Sequence, residues 1–316
     1  MASVALGGAP VTTLAAEIQA RKDGDAKLQS QVDALTARVS KLEQAAVPVP
    51  TPGPAPVIRS ASSISSILSL IPDNTVDVID CGGKVLVGSL AVRVLDLAGE
   101  AIRTPRTRPL VIRNGTLDGG GGATPAIRLG TNSGGQSYPS GPTVLISFED
   151  WTVQNYALGK DGLLMTGWVS DVAFRRFAFR NNRGIGGSYS HHAYVQNGGN
   201  PAQRGKRVVL EDLDIVAGKD MNGIQVFPKP NVDGLTIRRV SITGVNTGMY
   251  VYGDPTLVDI DGVTFTDCSQ TIDAKENPQG VVRNSTSVRS GPLAPGSGQW
   301  TALGLKDGGG NQVAAA

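Results

Sequence analysis

The chain has 316 residues, 40% of them hydrophobic and 18% charged, with a formal net charge of +2. That balance suits a water-soluble globular protein and is too even to make nucleic acid or an anionic membrane surface the main partner. No run approaches the roughly 18–20 apolar residues of a membrane span, and Met1–Pro10 lacks the basic stretch of a secretory signal.

Residues 14–42 carry a heptad pattern. Ile18, Val32 and Val39 fall at a positions and Leu14, Leu28, Leu35 and Leu42 at d positions, so the apolar stripe is the narrow seam of a coiled coil. Arg21 and Asp25 occupy the seam beside Gly24, and the helix is expected to weaken or divide there. Val at a with Leu at d leans towards a dimer, while the polar seam positions leave a trimer equally open. The competing reading is one amphipathic helix docked on the protein's own core. Residues 1–46 are therefore read as an N-terminal attachment segment with a coiled coil. Residues 47–59, with Val47-Pro-Val-Pro-Thr-Pro-Gly-Pro-Ala-Pro56, follow as a semi-rigid polyproline-type linker.

Ser60–Leu70 has Ile64, Ile67, Leu68 and the following Ile71 at helical spacing and ends at Pro72-Asp73, which predicts a short helix that caps what comes next. From residue 110 one eight-residue pattern, apolar-x-apolar-x-x-apolar-x-apolar, recurs. Its copies begin at Leu110, Ile146, Val172, Val208, Leu235, Val258 and, in degenerate form, Val281. Each copy is two period-two strands joined by a two-residue corner, and a third short strand lies between copies, as in Gly162–Met165, Ala193–Val195, Gly223–Val226 and Gly248–Val251. A single coil cannot bury its apolar face alone, so stacking is required. The predicted fold is an all-β solenoid, a right-handed parallel β-helix spanning residues 60–300 with its capping helix, followed by a C-terminal tail at 301–316; Trp300–Leu305 is expected to cover the far end and the last residues to be loose.

The corner residues alternate in sign from copy to copy: Arg113-Asn114, Glu149-Asp150, Arg175-Arg176, Glu211-Asp212, Arg238-Arg239, Asp261-Gly262. Stacked in register they form a charge ladder that specifies alignment more than it adds stability. Two residues past the last apolar position stand Gly119, Asn155, Asn181, Ala217, Gly244, Asp267 and Ser290, mostly types that accept a left-handed bend. Cys81 and Cys268 are expected to be buried free thiols.

The heptads, the Pro-rich joint, the capping helix and the repeat that begins with Leu110–Leu117 together resemble bacteriophage tailspikes and tail fibres, with a pectate-lyase-like β-helix. The resemblance is one of architecture. It implies a homotrimer held to the virion, through its N-terminus, by other phage structural proteins, and displayed on the particle exterior to bind, or also cleave, host surface polysaccharide. Fold alone does not carry activity across. Two alternatives stand beside it: a structural head or baseplate spike without catalysis, and a polysaccharide lyase or glycoside hydrolase.

A glycosidase needs two suitably spaced carboxylates. The corner acids are absorbed by the ladder, which leaves Asp214, Asp220 and Asp273 as weak candidates. His191-His192 are read as loop residues, with His192 as a possible acid or base and His191 as a glycan contact. No cofactor is implied, and no ligand-spaced cluster calls for a metal. The stronger signal is for binding. One outward column of the third strands is read as Arg128, Leu164, Tyr194, Gln225, Tyr250 and Asp273, and a second as Thr166, Gln196, Phe227, Tyr252 and Lys275. Aromatic rings interleaved with amides suit sugars, which offer apolar faces and hydroxyl edges. The loops 131–143 and 196–207 would wall this groove. The same face, or the small outward column Val111, Ser147, Ala173, Val209, Thr236, Asp259 and Val282, would equally serve as a subunit contact.

Overall fold

The computed structural model describes residues 11–44, 54–92, 106–129, 143–159, 162–167, 169–185, 190–196, 205–216, 220–226, 232–276, 278–291 and 305–314. It falls into two units, Met1–Ala55 and Pro56–Ala316.

The first unit is one α-helix, α1 (Val11–Gln44). The expected break at Gly24 does not occur. Side-chain pairs one turn apart brace both sides of it, Arg21 to Glu17 at 3.2 Å, Gln19 to Asp23 at 2.9 Å and Gln29 to Asp33 at 2.9 Å, each adding a few tenths of a kcal/mol. Ile18, Leu28, Val32 and Leu35 stand exposed along it. The side chains of Leu14, Val39 and Leu42 lie outside the described residues.

The second unit is mostly β, and every pairing among the described strands is parallel. One sheet has fourteen strands and another seven. In the larger sheet the repeats stack residue on residue: Leu110 pairs with Ile146, Ile146 with Val172, Val172 with Val208, Val208 with Leu235, and Leu235 with Val258. The inward positions fill one continuous core in which Phe148, Trp151, Phe174, Phe177 and Phe179 are fully buried. Phe148 and Phe174 stack at 5.5 Å, one repeat apart. Gly115 holds the inward place beside Trp151, whose ring lies 2.6 Å from where a Cβ would be, and the indole N–H donates to the Ile112 carbonyl at 2.9 Å.

The last repeat begins one residue earlier than its apolar pattern suggested. Val258 pairs with Gly280, and the inward residues are Gly280, Val282, Ser285 and Ser287, whereas Val281 and Thr286 face out. A Cβ at Gly280 would lie 2.1 Å from the Val258 carbonyl oxygen, so only glycine fits. Since strand side chains alternate, this one-residue slip exchanged the two faces. It misled because the closing repeat is lined with small and polar residues where the others carry large apolar ones. In the observed register Arg283-Asn284 become the corner, and the sign alternation runs one repeat further.

The ladder forms as expected. Asp80 meets Arg113 at 2.9 Å, Glu149 meets Arg176 at 2.7 Å, Arg175 meets Glu211 at 2.9 Å, Glu211 meets Arg239 at 2.7 Å, and Asp261 meets Arg283 at 3.2 Å. Arg238 departs from it by turning to the outward Asp259 at 2.7 Å. The second corner residue of each repeat has positive φ, including Arg176 at 56° and Arg239 at 49°. That conformation costs an L-residue about 1–2 kcal/mol. In exchange each guanidinium reaches both carboxylates of the preceding repeat, Arg176 those of Glu149 and Asp150, Arg239 those of Glu211 and Asp212. The later bend has positive φ at Asn155, Asn181, Gly244 and Asp267, as expected, but at Arg289 in place of Ser290, and at Gly120 and Gly121 in place of Gly119. Ala217 lies outside the described residues. A third such row, Leu145, Asp171, Arg207, Gly234 and Leu257, was not anticipated.

Helix α2 (Ile64–Leu70) is capped by Ser63 in a reciprocal pair with Ser66, and Ile67 is fully buried in the core. Buried Arg106 closes its C-terminal side by donating to the carbonyls of Ile71, Asp73 and Val76 at 2.7, 3.0 and 2.7 Å. Both boundaries of the β body lie further out than expected. Ile58–Ser60, whose first two residues fall in the expected linker, pairs with Val78, Ile79 and Asp80. Leu305–Asp307 and Gln312–Ala314, inside the expected tail, pair with Gly280–Val282 and Thr286–Val288, and Leu305 is fully buried. Trp300 lies outside the described residues. Cys81 and Cys268 are buried and free, as expected.

Candidate functional site

The seven-stranded sheet is built from short strands whose side chains alternate between core and outer face. The outer column runs Arg128, Met165, Tyr194, Gln225, Tyr250, Asp273. Met165, not Leu164, belongs to it. Leu164 pairs with Ile127 and Ala193 and is buried in the core, and Thr166, expected in the next column, is also buried. The error came from equating Gly162 with Gly223 and Gly248. Gly162 pairs with His191, and His191 with Asn222, one residue before the glycine. The adjacent column keeps Tyr252 beside Lys275. Phe227 lies outside the described residues, as does almost all of the two loops expected to wall the face.

His191 and His192 belong to the strand Ser190–Gln196, not to a loop, and both are buried. Since strand neighbours point opposite ways, they do different work. His192 enters the core, its ring 5.2 Å from that of Phe179, with Nδ1–H donating to the Asn222 carbonyl at 2.7 Å. Burial drives its pKa down to about 4, so the ring is neutral and sealed from any substrate. His191 lies beneath the outer face, 5.9 Å from the Tyr194 ring and 5.8 Å from the Tyr250 ring. It buttresses two tyrosines and offers almost no surface of its own to a sugar.

From Tyr250 the rings continue to Tyr252 at 5.3 Å, edge to face. The Tyr252 hydroxyl donates to buried Asp273, and Lys275 donates to the same hydroxyl at 3.0 Å and lies 3.1 Å from the Asp273 carboxylate. Burial, then the bond to Asp273, pushes the phenol up to about 12, while its bonds to Tyr252 and Asp273 hold the Lys275 ammonium above its usual range. The phenol, the ammonium and the carboxylate are each committed to the others. A general base needs a pKa near the working pH, and Tyr252 and Lys275, both raised, do not supply one. What they supply is a fixed, half-exposed aromatic surface with polar edges.

The other two acids expected as candidates are Asp214 and Asp220. Asp214 faces outward in an ion pair with Arg180 at 2.6 Å, and Asp220 is an exposed turn residue with φ of 60°. Among the described residues no group of three or more His, Cys, Asp or Glu is placed to hold a metal ion. On the outward face of the larger sheet a groove of about 370 Å³ has Val111, Ser147, Ala173 and Val209 along its floor and Glu149 and Arg175 on one wall. Those two charges are tied to each other and to Ser147.

No protein-family profile matches the chain, and no curated protein is similar to it. Among solved structures it is similar to an alginate lyase from Paenibacillus sp. str. FPU-7, at 12% identity over 82% of this chain and 98% of that one, with a TM-score of 0.33. At that distance the likeness assigns no residue and no activity.

Proposed function

We propose that the second unit is a right-handed parallel β-helix, that α1 joins three copies of the chain as a parallel coiled coil, and that the assembly is a tailspike- or tail-fibre-like virion protein displayed on the particle exterior. Its N-terminal segment attaches to other phage structural proteins, and its seven-stranded face binds bacterial surface polysaccharide. The observation that carries the binding reading is the run of rings from Tyr194 across His191 to Tyr250 and Tyr252, with Gln225 between and Lys275 at its edge. Sugar rings stack their apolar faces on such aromatics and leave hydroxyls for amide and charged groups. For oligomerisation, the support is a 34-residue helix with Ile18, Leu28, Val32 and Leu35 exposed at heptad spacing. The proposal is for binding, because Tyr252 and Lys275, whose pKa values are raised, are unsuited to act as a base at neutral pH.

The test is retention of the purified full-length chain on immobilised capsule or lipopolysaccharide from candidate hosts, with assays for new reducing ends and for unsaturated sugars on the same samples. Retention without release supports the binding protein. Release of oligosaccharides makes it a depolymerase, with unsaturated ends marking a lyase and their absence a hydrolase. Neither retention nor release from any polysaccharide abandons the glycan and leaves the structural spike.

A further inference from the structure

Within each repeat the first strand of the larger sheet presents three outward positions, an edge, a floor and an opposite edge. The floors align as Ile58, Val78, Val111, Ser147, Ala173 and Val209, an apolar or small stripe crossing six successive strands. At about 4.8 Å per strand it runs roughly 24 Å, and the groove between Pro109 and Val209 is part of it. Beyond Val209 the stripe ends at Thr236 and Asp259.

In two successive repeats the edges carry opposite charges at the same height. Where one edge has Asp171 the other has Arg175, and in the next repeat Arg207 stands opposite Glu211. In the repeat after that Gly234 takes the Arg207 position, so the charge on this edge ends there. Over these two repeats the two edges alternate in antiphase. Within one copy each edge is already linked vertically, Asp171 to Arg207 and Arg175 to Glu211. When copies are arranged by rotation about an axis parallel to the stack, one edge of each copy lies beside the opposite edge of the next, at the same height. Both of these levels then bring unlike charges together, and a shift of one repeat brings like charges together.

We propose that this face, from Ile58 to Val209, is where copies of the chain meet, with the Asp171–Arg207 edge of one against the Arg175–Glu211 edge of the next. The occupant of the groove is a second copy of the chain. This rests on the homo-oligomer reading above and adds to it the face, its orientation and its axial register. It also leaves the seven-stranded face open for glycan.

The test uses the full-length chain with Asp171→Cys and Arg175→Cys together. Four residues apart on one strand, the two thiols are about 13 Å from each other, beyond the roughly 7 Å Cα limit for a disulfide within one copy. Mild oxidation is expected to give covalent oligomers on a non-reducing gel, with neither single variant doing so; buried Cys81 and Cys268 provide the quiet background. If light scattering finds an oligomer and no cross-link forms, the proposed face is overturned while the oligomer stands. If light scattering finds a monomer, both fall. Should the double variant not fold, Val209→Cys decides. Its labelling by a bulky maleimide is expected to be at least about tenfold slower than that of Thr264→Cys, a half-buried position on another outward row. Equal rates overturn the proposal, as does protection that appears only when polysaccharide is added, which would make the groove a ligand site.

Discussion

The two sheets of the body stack in different ways. Along the corner of the larger sheet almost every charge has its answer one repeat away, so the side chains state which residue lies on which. Along the smaller sheet the outer face carries tyrosines, an amide and a methionine, and alignment comes from backbone pairing over a shared core. The first arrangement specifies register and leaves little chemistry to spare. The second leaves half-exposed rings with polar groups at their edges. Register is thus written in side chains on one face of the stack and not on the other.

The largest expected effect falls on what both sheets share. Phe174→Ala removes a fully buried ring stacked on Phe148 and edge-on to Phe177. It should lower the unfolding free energy by about 3–5 kcal/mol in chemical denaturation, and a smaller loss would mean that the two faces do not depend on one core.

Next is the histidine that links the smaller sheet to that core. With its pKa held at about 4 in the folded state and about 6.5 in the unfolded chain, the unfolded state binds the extra proton between those values. Stability is therefore complete above about pH 6.5 and falls as the pH drops towards 4, by about 3 kcal/mol in total. The corner acids Glu149, Asp150 and Asp212, whose pKa values are lowered by hydrogen bonds that outweigh burial, lose their charge at lower pH than free carboxylates do. His192→Leu, which copies Leu163 from the preceding repeat, should flatten the pH profile in denaturation experiments. An unchanged slope would place the acid sensitivity elsewhere.

Glu211→Arg probes the ladder directly. It sets a third guanidinium between Arg175 and Arg239 and should cost about 2 kcal/mol, since the carboxylate is mostly shielded but its partners are half in water. The loss should shrink at high salt. A loss independent of salt would show that packing, not charge, aligns the corner.

The smallest effect on stability belongs to the aromatic face. Tyr250→Ala should weaken retention on polysaccharide by about tenfold, equal to about 1.4 kcal/mol, while the denaturation midpoint moves little. Full retention by this variant would remove Tyr250 from the binding surface.

The repeat from Leu110 to Phe265 was legible because large apolar residues recur at fixed spacing and corner charges alternate, two signals that agree. Legibility failed where one of them lapsed. At Gly280 the inward side chains shrink to Gly, Val and Ser, and the apolar Val281 and Val288 drew the eye one residue along. At Gly162 a glycine outside the repeating position mimicked Gly223. The helix runs unbroken through Gly24, with side-chain pairs one turn apart on either side of it. His191 and His192 looked like surface residues because histidine is polar, yet one fills a core corner and the other underlies two tyrosines.

The sequence by itself determined the period, the corner ladder, the capping helix and the tyrosine columns, all of which follow from local spacing and side-chain type. Only the tertiary structure decided which of two adjacent residues faces out in an irregular repeat, that Tyr252, Asp273 and Lys275 bind one another, and that Asp171 and Arg207 form an edge in antiphase with Arg175 and Glu211. Those relations depend on parallel pairing between segments 20 to 40 residues apart, and a strand alternates its faces every residue, so a slip too small to disturb a pattern is enough to exchange surface for core.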